Sequence, residues 1–223
     1  MKTAGASSHE SQSSPIWGGA PVVFVVDAEA SVRDLLELLI QRAGWQPEVF
    51  ACAQGFLSRP RVLTPSCLIL DVTLPDLNGL DLQKLVADRI EMPVIFITAH
   101  ADVSTAVRAM KAGAVEFLTK PFRDEVLLSS MQAAIERSHA ALRHEAQIQP
   151  LRERYASLSR REREVMALIV RGRLNKEVGS ELGISEITVQ AHRGRVMQKM
   201  GTDSLAGLVN IAARLRLTSA PNC

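Results

Sequence analysis

Three acidic or hydroxylated residues stand directly after, or at the end of, short apolar runs: Asp27 after VVFVV, Asp71 after CLIL, and Thr98 after VIFI. A fourth apolar stretch, VEFL, is followed by Thr119-Lys120-Pro121. If these runs are parallel strands, their carboxyl ends converge on one crevice and bring two carboxylates, a hydroxyl and an ammonium together. A carboxylate there can attack phosphorus and become an acyl phosphate, provided that cations offset the charge on the transferring group. Asp71 is the expected nucleophile. Lys120 would pair with a phosphoryl oxygen, and Thr98 would donate a hydrogen bond to another. A hard, oxygen-seeking ion such as Mg²⁺ suits a carboxylate site of this kind. Single aspartates at these places would alternatively only cap helices.

The chain between these residues supports that geometry. Val22–Val26, Glu48–Phe50, Cys67–Asp71, Val94–Thr98 and Val115–Leu118 read as five strands, rich in Val, Ile and Phe or bounded by Pro and Gly. Between the first two, Val32, Leu35, Leu36, Leu39, Ile40 and Ala43 repeat at helical spacing and stop at Gly44. Further helical stretches cover Leu80–Arg89, Ser104–Ala112 and Asp124–His139. The alternation predicts an α/β fold with a doubly wound, five-stranded parallel sheet. Residues 136–156 are charged and Ala-rich, and Pro150 is a poor helix-interior residue, so a linker that is helical before the proline is expected. Residues 160–216 contain no strand-like run and predict four short helices punctuated by Gly172, Gly183 and Gly201.

Composition sets bounds on function. The apolar runs are strand-sized, far short of the ~20 residues that span a membrane. Residues 1–20 lack the apolar centre of a secretory signal and read as a flexible tail. Cys52, Cys67 and Cys223 are odd in number and have no metal-like spacing, which fits a reducing, cytoplasmic setting. Residues 1–151 hold 13 basic and 17 acidic residues, net −4, whereas residues 152–223 hold 13 basic and 7 acidic, net +6. Only the rear half therefore suits a polyanion.

In that half, Val165, Leu168 and Ile169 give one helix an apolar face, and Val178 and Leu182 do so for the next. Gly183-Ile184 makes a tight connection, and Ser185 is placed to cap a third helix running to about Met200. There Val189, Val196, Met197 and Met200 can face inward while Gln190 and Arg193 face out. Between Thr188 and Lys199 there are three basic residues and no acidic one, as a major-groove helix requires. Gln190, His192, Arg193 and Arg195 are candidates for base or phosphate contact, with Lys176, Thr188 and Lys199 expected on the DNA backbone.

Over residues 21–140, FVVDAEASVR, LILDVTLPDLNGLDL, VIFITAH and AGAVEFLTKPF resemble the successive motifs of response-regulator receiver domains from two-component signalling. LSRREREVMALI, NKEVGSELGIS and TVQAHRGRVMQKMG resemble the LuxR-type helix-turn-helix of the NarL/FixJ subfamily, over residues 157–223. The resemblance implies that Asp71 accepts a phosphoryl group from a sensor histidine kinase. It places Thr98, Phe117 and Lys120 in switching positions and lends the Thr73 carbonyl, beside Asp27 and Asp71, to Mg²⁺. It also implies homodimerisation through the surface around Ser104–Ala112 and Val115–Leu118, binding to double-stranded promoter DNA, and RNA polymerase as a further candidate partner. One position departs from the pattern. Receivers carry a second acidic residue after the first, and here it is Ala28, with Glu29 one place further on. Weakened Mg²⁺ binding, or regulation without phosphorylation, is the expectation. Aspartate-nucleophile phosphatases resembling haloacid dehalogenases carry a second Asp two residues after the nucleophile; here that residue is Thr73, which argues against an enzyme.

Overall fold

The computed structural model describes residues 19–61, 63–100 and 102–217; most of the expected N-terminal tail, and Cys223, lie outside the described residues. The chain divides into two compact units, Met1–Leu142 and Arg143–Cys223.

The first unit is built on β1 (Val22–Val26), β2 (Gln46–Phe50), β3 (Ser66–Asp71), β4 (Val94–Thr98) and β5 (Glu116–Thr119). Their spatial order is β2-β1-β3-β4-β5, and every pairing is parallel. Continuous apolar strands suit this arrangement because both faces of a parallel sheet are covered. Val23, Val25, Cys67, Ile69, Ile95 and Ile97 pack with Leu36 and Ile40 of α1 (Ala30–Arg42) and with Leu127, Met131 and Ala134 of α5 (Asp124–Ala156). The alternate residues Phe24, Val26, Leu68, Leu70 and Phe96 pack with Phe56 of α2 (Ala53–Leu57), Leu80 and Leu82 of α3 (Gly79–Leu85), and Ala109 of α4 (Val103–Lys111). The period of two along each strand thus sorts side chains between two layers of helix.

Some boundaries differ from those expected, for identifiable reasons. β2 begins two residues early and includes Pro47, which an edge strand tolerates because the donor that proline lacks is not needed on the side facing away from the ladder. Helix α2 has only five residues, too few to show a period, and its first N–H groups are held by Asp76, whose Oδ1 and Oδ2 accept from Ala53 N (3.0 Å) and Gln54 N (2.8 Å). Helix α3 stops at Leu85, where the ladder tightens to an Ala87 N to Lys84 O bond.

The expectation that the helix ends at Pro150 is corrected by the structure: α5 continues through the proline to Ala156. A proline inside a helix costs about 3 kcal/mol. Ile148 and Leu151 flank it and are both buried, and each such side chain stabilises by about 1.5–3 kcal/mol, enough to offset that loss.

The second unit contains α6 (Arg160–Ile169), α7 (Asn175–Leu182), α8 (Glu186–Met200) and α9 (Leu205–Arg214). Val165, Ile169, Val178, Val189, Val196, Met200 and Leu208 form its core. Gly183 and Gly201 adopt φ of 66° and 67°, ending α7 and α8 in the left-handed conformation that glycine takes without steric cost.

Candidate functional site

Register brings the acidic residues together. Val26 pairs with Leu70, so Asp27 and Asp71 are neighbours at the carboxyl ends of β1 and β3. β4 and β5 end at Thr98 and Thr119, and Lys120 N donates to Thr98 O at 2.8 Å. Lys120 Nζ lies 2.7 Å from Asp27 Oδ2, 3.0 Å from Glu29 Oε1 and 3.1 Å from Asp71 Oδ2. Asp27, Asp71 and Lys120 therefore converge as anticipated, with Glu29 reaching the same ammonium.

The loops that aim these groups are themselves held by hydrogen bonds that sequence reading missed. Arg33 Nη1 donates to the carbonyls of Asp27 (2.7 Å) and Ala28 (2.8 Å), and Glu29 N donates to Asp27 Oδ1 at 2.9 Å. The β1–α1 loop is thereby folded back over its own aspartate. On the next loop, Asp71 Oδ1 accepts from Thr73 N at 3.1 Å, and Asn78 Oδ1 accepts from Leu80 N to cap α3. Gly79 is required there, since a Cβ would lie 2.3 Å from the Asp71 carbonyl oxygen. The Asn-Gly pair was the only available signal of this tight approach.

Electrostatically the site is a cluster of negative charge around one cation. Burial pushes the Asp27 carboxyl above its usual range, and this outweighs the opposing pull of Lys120 and of the Glu29 N–H. Burial is also the largest single influence on Lys120 and favours its neutral form, yet the carboxylates of Asp27, Glu29 and Asp71 together hold the ammonium above the usual lysine range. Asp27 Oδ2 is fully buried and faces the Lys120 ammonium at 2.7 Å. Ligand oxygens of Asp27, Glu29 and Asp71 lie within 4.8 Å of one another. Three carboxylates, two of them buried, make an all-oxygen donor set that fits a hard divalent cation, and Ala28 contributes no side-chain ligand to it.

Thr98 is buried, and its hydroxyl exchanges hydrogen bonds with the His100 backbone, both at 3.3 Å. Phe117 is half-buried on β5, its ring centroid 6.0 Å from that of Phe96.

In the second unit, Ser185 Oγ accepts from Thr188 N at 3.1 Å and lies 2.8 Å from Thr188 Oγ1, starting α8 with a side-chain cap. Gln190 and Arg195 are exposed on α8, and Lys176 is exposed on α7. Arg193 is half-buried and Nη1 donates to Asn175 Oδ1 at 3.3 Å; His192 is half-buried with its Nδ1 unpartnered. Lys199 stands apart from this group. Its Nζ donates to Glu162 Oε2 (2.7 Å) and to Ser157 O (3.2 Å), tying α8 to the start of α6.

Comparison with known proteins agrees with both halves. Residues 23–132 match the response regulator receiver domain, and residues 156–212 match the bacterial regulatory proteins of the luxR family. The chain is 43% identical over 199 residues to nodulation protein W of Bradyrhizobium diazoefficiens, covering 89% of this chain and 88% of that protein. It is 40% identical to the response regulator protein TodT of Pseudomonas putida, over 88% of this chain and 87% of TodT. It is likewise 40% identical to the transcriptional regulatory protein FixJ of B. diazoefficiens, over 86% of this chain and 94% of FixJ. Among solved structures, the response regulator StyR superposes with a TM-score of 0.71 at 41% identity, covering 88% of this chain and all of StyR. No helix among the described residues is long and apolar enough to cross a membrane. With a receiver domain, a LuxR-type DNA-binding domain and these relatives, the chain belongs to the response regulators of the NarL/FixJ type, which are regulators of transcription.

Proposed function

We propose that this protein is a cytoplasmic regulator switched by phosphorylation of Asp71, with the phosphoryl group supplied by the phosphohistidine of a sensor kinase. In this reading residues 21–140 receive the signal, residues 141–156 link, and residues 157–223 bind promoter DNA. One observation carries it: the Asp71 carboxylate, 8% exposed, faces the Lys120 ammonium at 3.1 Å among two further carboxylates.

In the transfer, an Asp71 oxygen forms a bond to phosphorus as the phosphorus–nitrogen bond to imidazole breaks, and the electron pair leaves on the nitrogen. Lys120 is placed to pair with one equatorial oxygen, and Thr98, by giving up its His100 contacts, with another. Asp27, Asp71, the Thr73 carbonyl and Glu29 would hold Mg²⁺, which when bound neutralises charge on the phosphoryl oxygens. Movement of Thr98 opens space that Phe117 can fill from β5, altering the α4–β5 surface through which the protein dimerises to bind paired half-sites and engage RNA polymerase. Lys176, Thr188, Gln190, His192, Arg193, Arg195 and Lys199 make up the DNA-facing set in this reading.

A second reading, regulation without phosphorylation, draws on Ala28: one expected acidic ligand is missing, and Lys120 already neutralises part of the pocket. Incubation with phosphoramidate and Mg²⁺, followed by intact-mass measurement, separates the two. A single phosphoryl adduct that Asp71→Asn abolishes supports the first. No adduct under conditions that modify a control receiver overturns it in favour of the second.

A further inference from the structure

The outward side of α8 is not where its charges are concentrated. Val189, Val196 and Met200 mark the inner side; at about 100° per residue, the opposite stripe is Ile187, Ala191, Gly194 and Gln198, all exposed. Arg193 is drawn to Asn175 and Lys199 to Glu162, while the hydroxyls of Ser185 and Thr188 face one another at the cap. Glu186 and Ile187 are both exposed in the first turn, and of the two it is Ile187, 81% exposed, that lies on the outward stripe.

Two features of this stripe serve no purpose inside the domain. Ile187 adds nothing to the core, and a β-branched residue is a weaker helix former than the Ala, Leu, Lys or Glu that commonly fill exposed positions. Gly194 is worse still as a mid-helix residue, and a Cβ added there would meet nothing within 4 Å, so no packing demands glycine. A helix with an apolar knob at its start and a missing side chain two turns later is shaped for close approach by a surface that carries a small apolar group. In the major groove that group is the 5-methyl of thymine, the one apolar feature among the base edges.

We propose that Ile187 reads a thymine 5-methyl group, that Ala191 and Gly194 supply the clearance for α8 to lie deep enough to reach it, and that Ile187 therefore sets a preference for an A·T pair in each half-site. Gln190, exposed on the flank of the same stripe, has the amide that suits an adjacent adenine. The inference rests on DNA binding through α8.

The full chain, with and without phosphoramidate, is used to select its preferred duplex from a random-sequence pool. Each thymine of the selected half-site is then replaced singly by deoxyuridine, which removes only the methyl group. At one position or more, the replacement should weaken binding by about fourfold, the factor for one methyl-sized apolar group withdrawn from contact. Ile187→Ala should bind the thymine and uracil duplexes equally, and its thermal unfolding should not fall, since alanine is the better helix former at an exposed position. Neutral replacement everywhere, or a methyl effect that survives undiminished in Ile187→Ala, overturns the inference while leaving DNA binding intact. If the wild-type chain binds no duplex at all, at any salt concentration, the DNA-binding reading fails with it.

Discussion

Lys199 Nζ lies 2.7 Å from Glu162 Oε2, joining the last turn of α8 to the first turn of α6. The Lys199 contact, followed by the Ser159 N–H, holds the buried Glu162 carboxyl down to about 2, from an ordinary 4.5. A group whose folded pKa is depressed contributes stability that is complete above its unfolded value and is lost as pH falls through the folded value. The second unit should therefore lose this contribution between about pH 4.5 and about pH 2. Glu162→Gln should lower stability by about 1.5–3 kcal/mol at neutral pH, the range for hydrogen bonds to charged groups, and should flatten the acid limb. Calorimetric melting of wild type and variant across this pH range tests both; an unchanged acid limb in Glu162→Gln sinks the assignment.

The same logic applies with greater force to Lys120, whose side chain is 11% exposed and whose ammonium serves three carboxylates. Removing one member of a buried pair costs about 3–5 kcal/mol because the partner's charge is left uncompensated. Lys120→Met should destabilise the first unit at pH 7, with Asp27 driven further toward its neutral form. Added Mg²⁺ should restore more stability to this variant than to wild type, since the cation then has no ammonium to displace. Thermal shift measurements with and without Mg²⁺ decide the matter, and equal shifts in the two proteins would count against a shared cation site.

These two lysines also show where the sequence was readable. Lys120 could be placed because strand alternation and parallel topology fix which ends of strands meet, whatever the loops do. The Glu162 contact of Lys199 could not, because a basic residue in the last turn of a helix carries no mark of the carboxylate it meets on another. Arg33 was invisible for a similar reason: its guanidinium binds backbone carbonyls, and nothing in the residue types of Asp27 and Ala28 signals that. Helix α5 was under-read because a local rule about Pro150 was outweighed by burial that only the folded chain reveals.

Two glycines should respond to alanine with opposite signs. At Gly79 a Cβ would meet the Asp71 carbonyl oxygen at 2.3 Å and Val72 Cα at 3.0 Å, both backbone atoms that cannot step aside cheaply. Gly79→Ala should cost about 1–3 kcal/mol, the usual range for overpacking, and should disturb the Asp71 loop. At Gly194 the space is open and the backbone helical, so Gly194→Ala should stabilise the second unit by up to about 1 kcal/mol. Urea unfolding of the two variants gives both signs. A destabilising Gly194→Ala would mean that the outward face of α8 is more crowded than the structure indicates.

Ala28→Asp tests what the missing carboxylate is worth. Asp27, Glu29 and Asp71 offer three oxygens to a cation, but Glu29 is held by Lys120 and its side chain is 55% exposed, so it is a looser ligand than a short aspartate on the same loop. Cation affinity rises with ligand charge and with site rigidity. The Ala28 carbonyl is already fixed by Arg33, so a carboxylate at position 28 would start from an ordered backbone and lose little entropy on binding. Mg²⁺ affinity of Ala28→Asp, by isothermal titration, should exceed wild type by about tenfold, the scale on which a single supporting group acts at metal sites. Glu29→Gln should weaken wild type and leave Ala28→Asp nearly unchanged, because only the wild-type site depends on the longer side chain. Equal affinities in wild type and Ala28→Asp would mean that Glu29 already completes the site, and that Ala28 does not impair it.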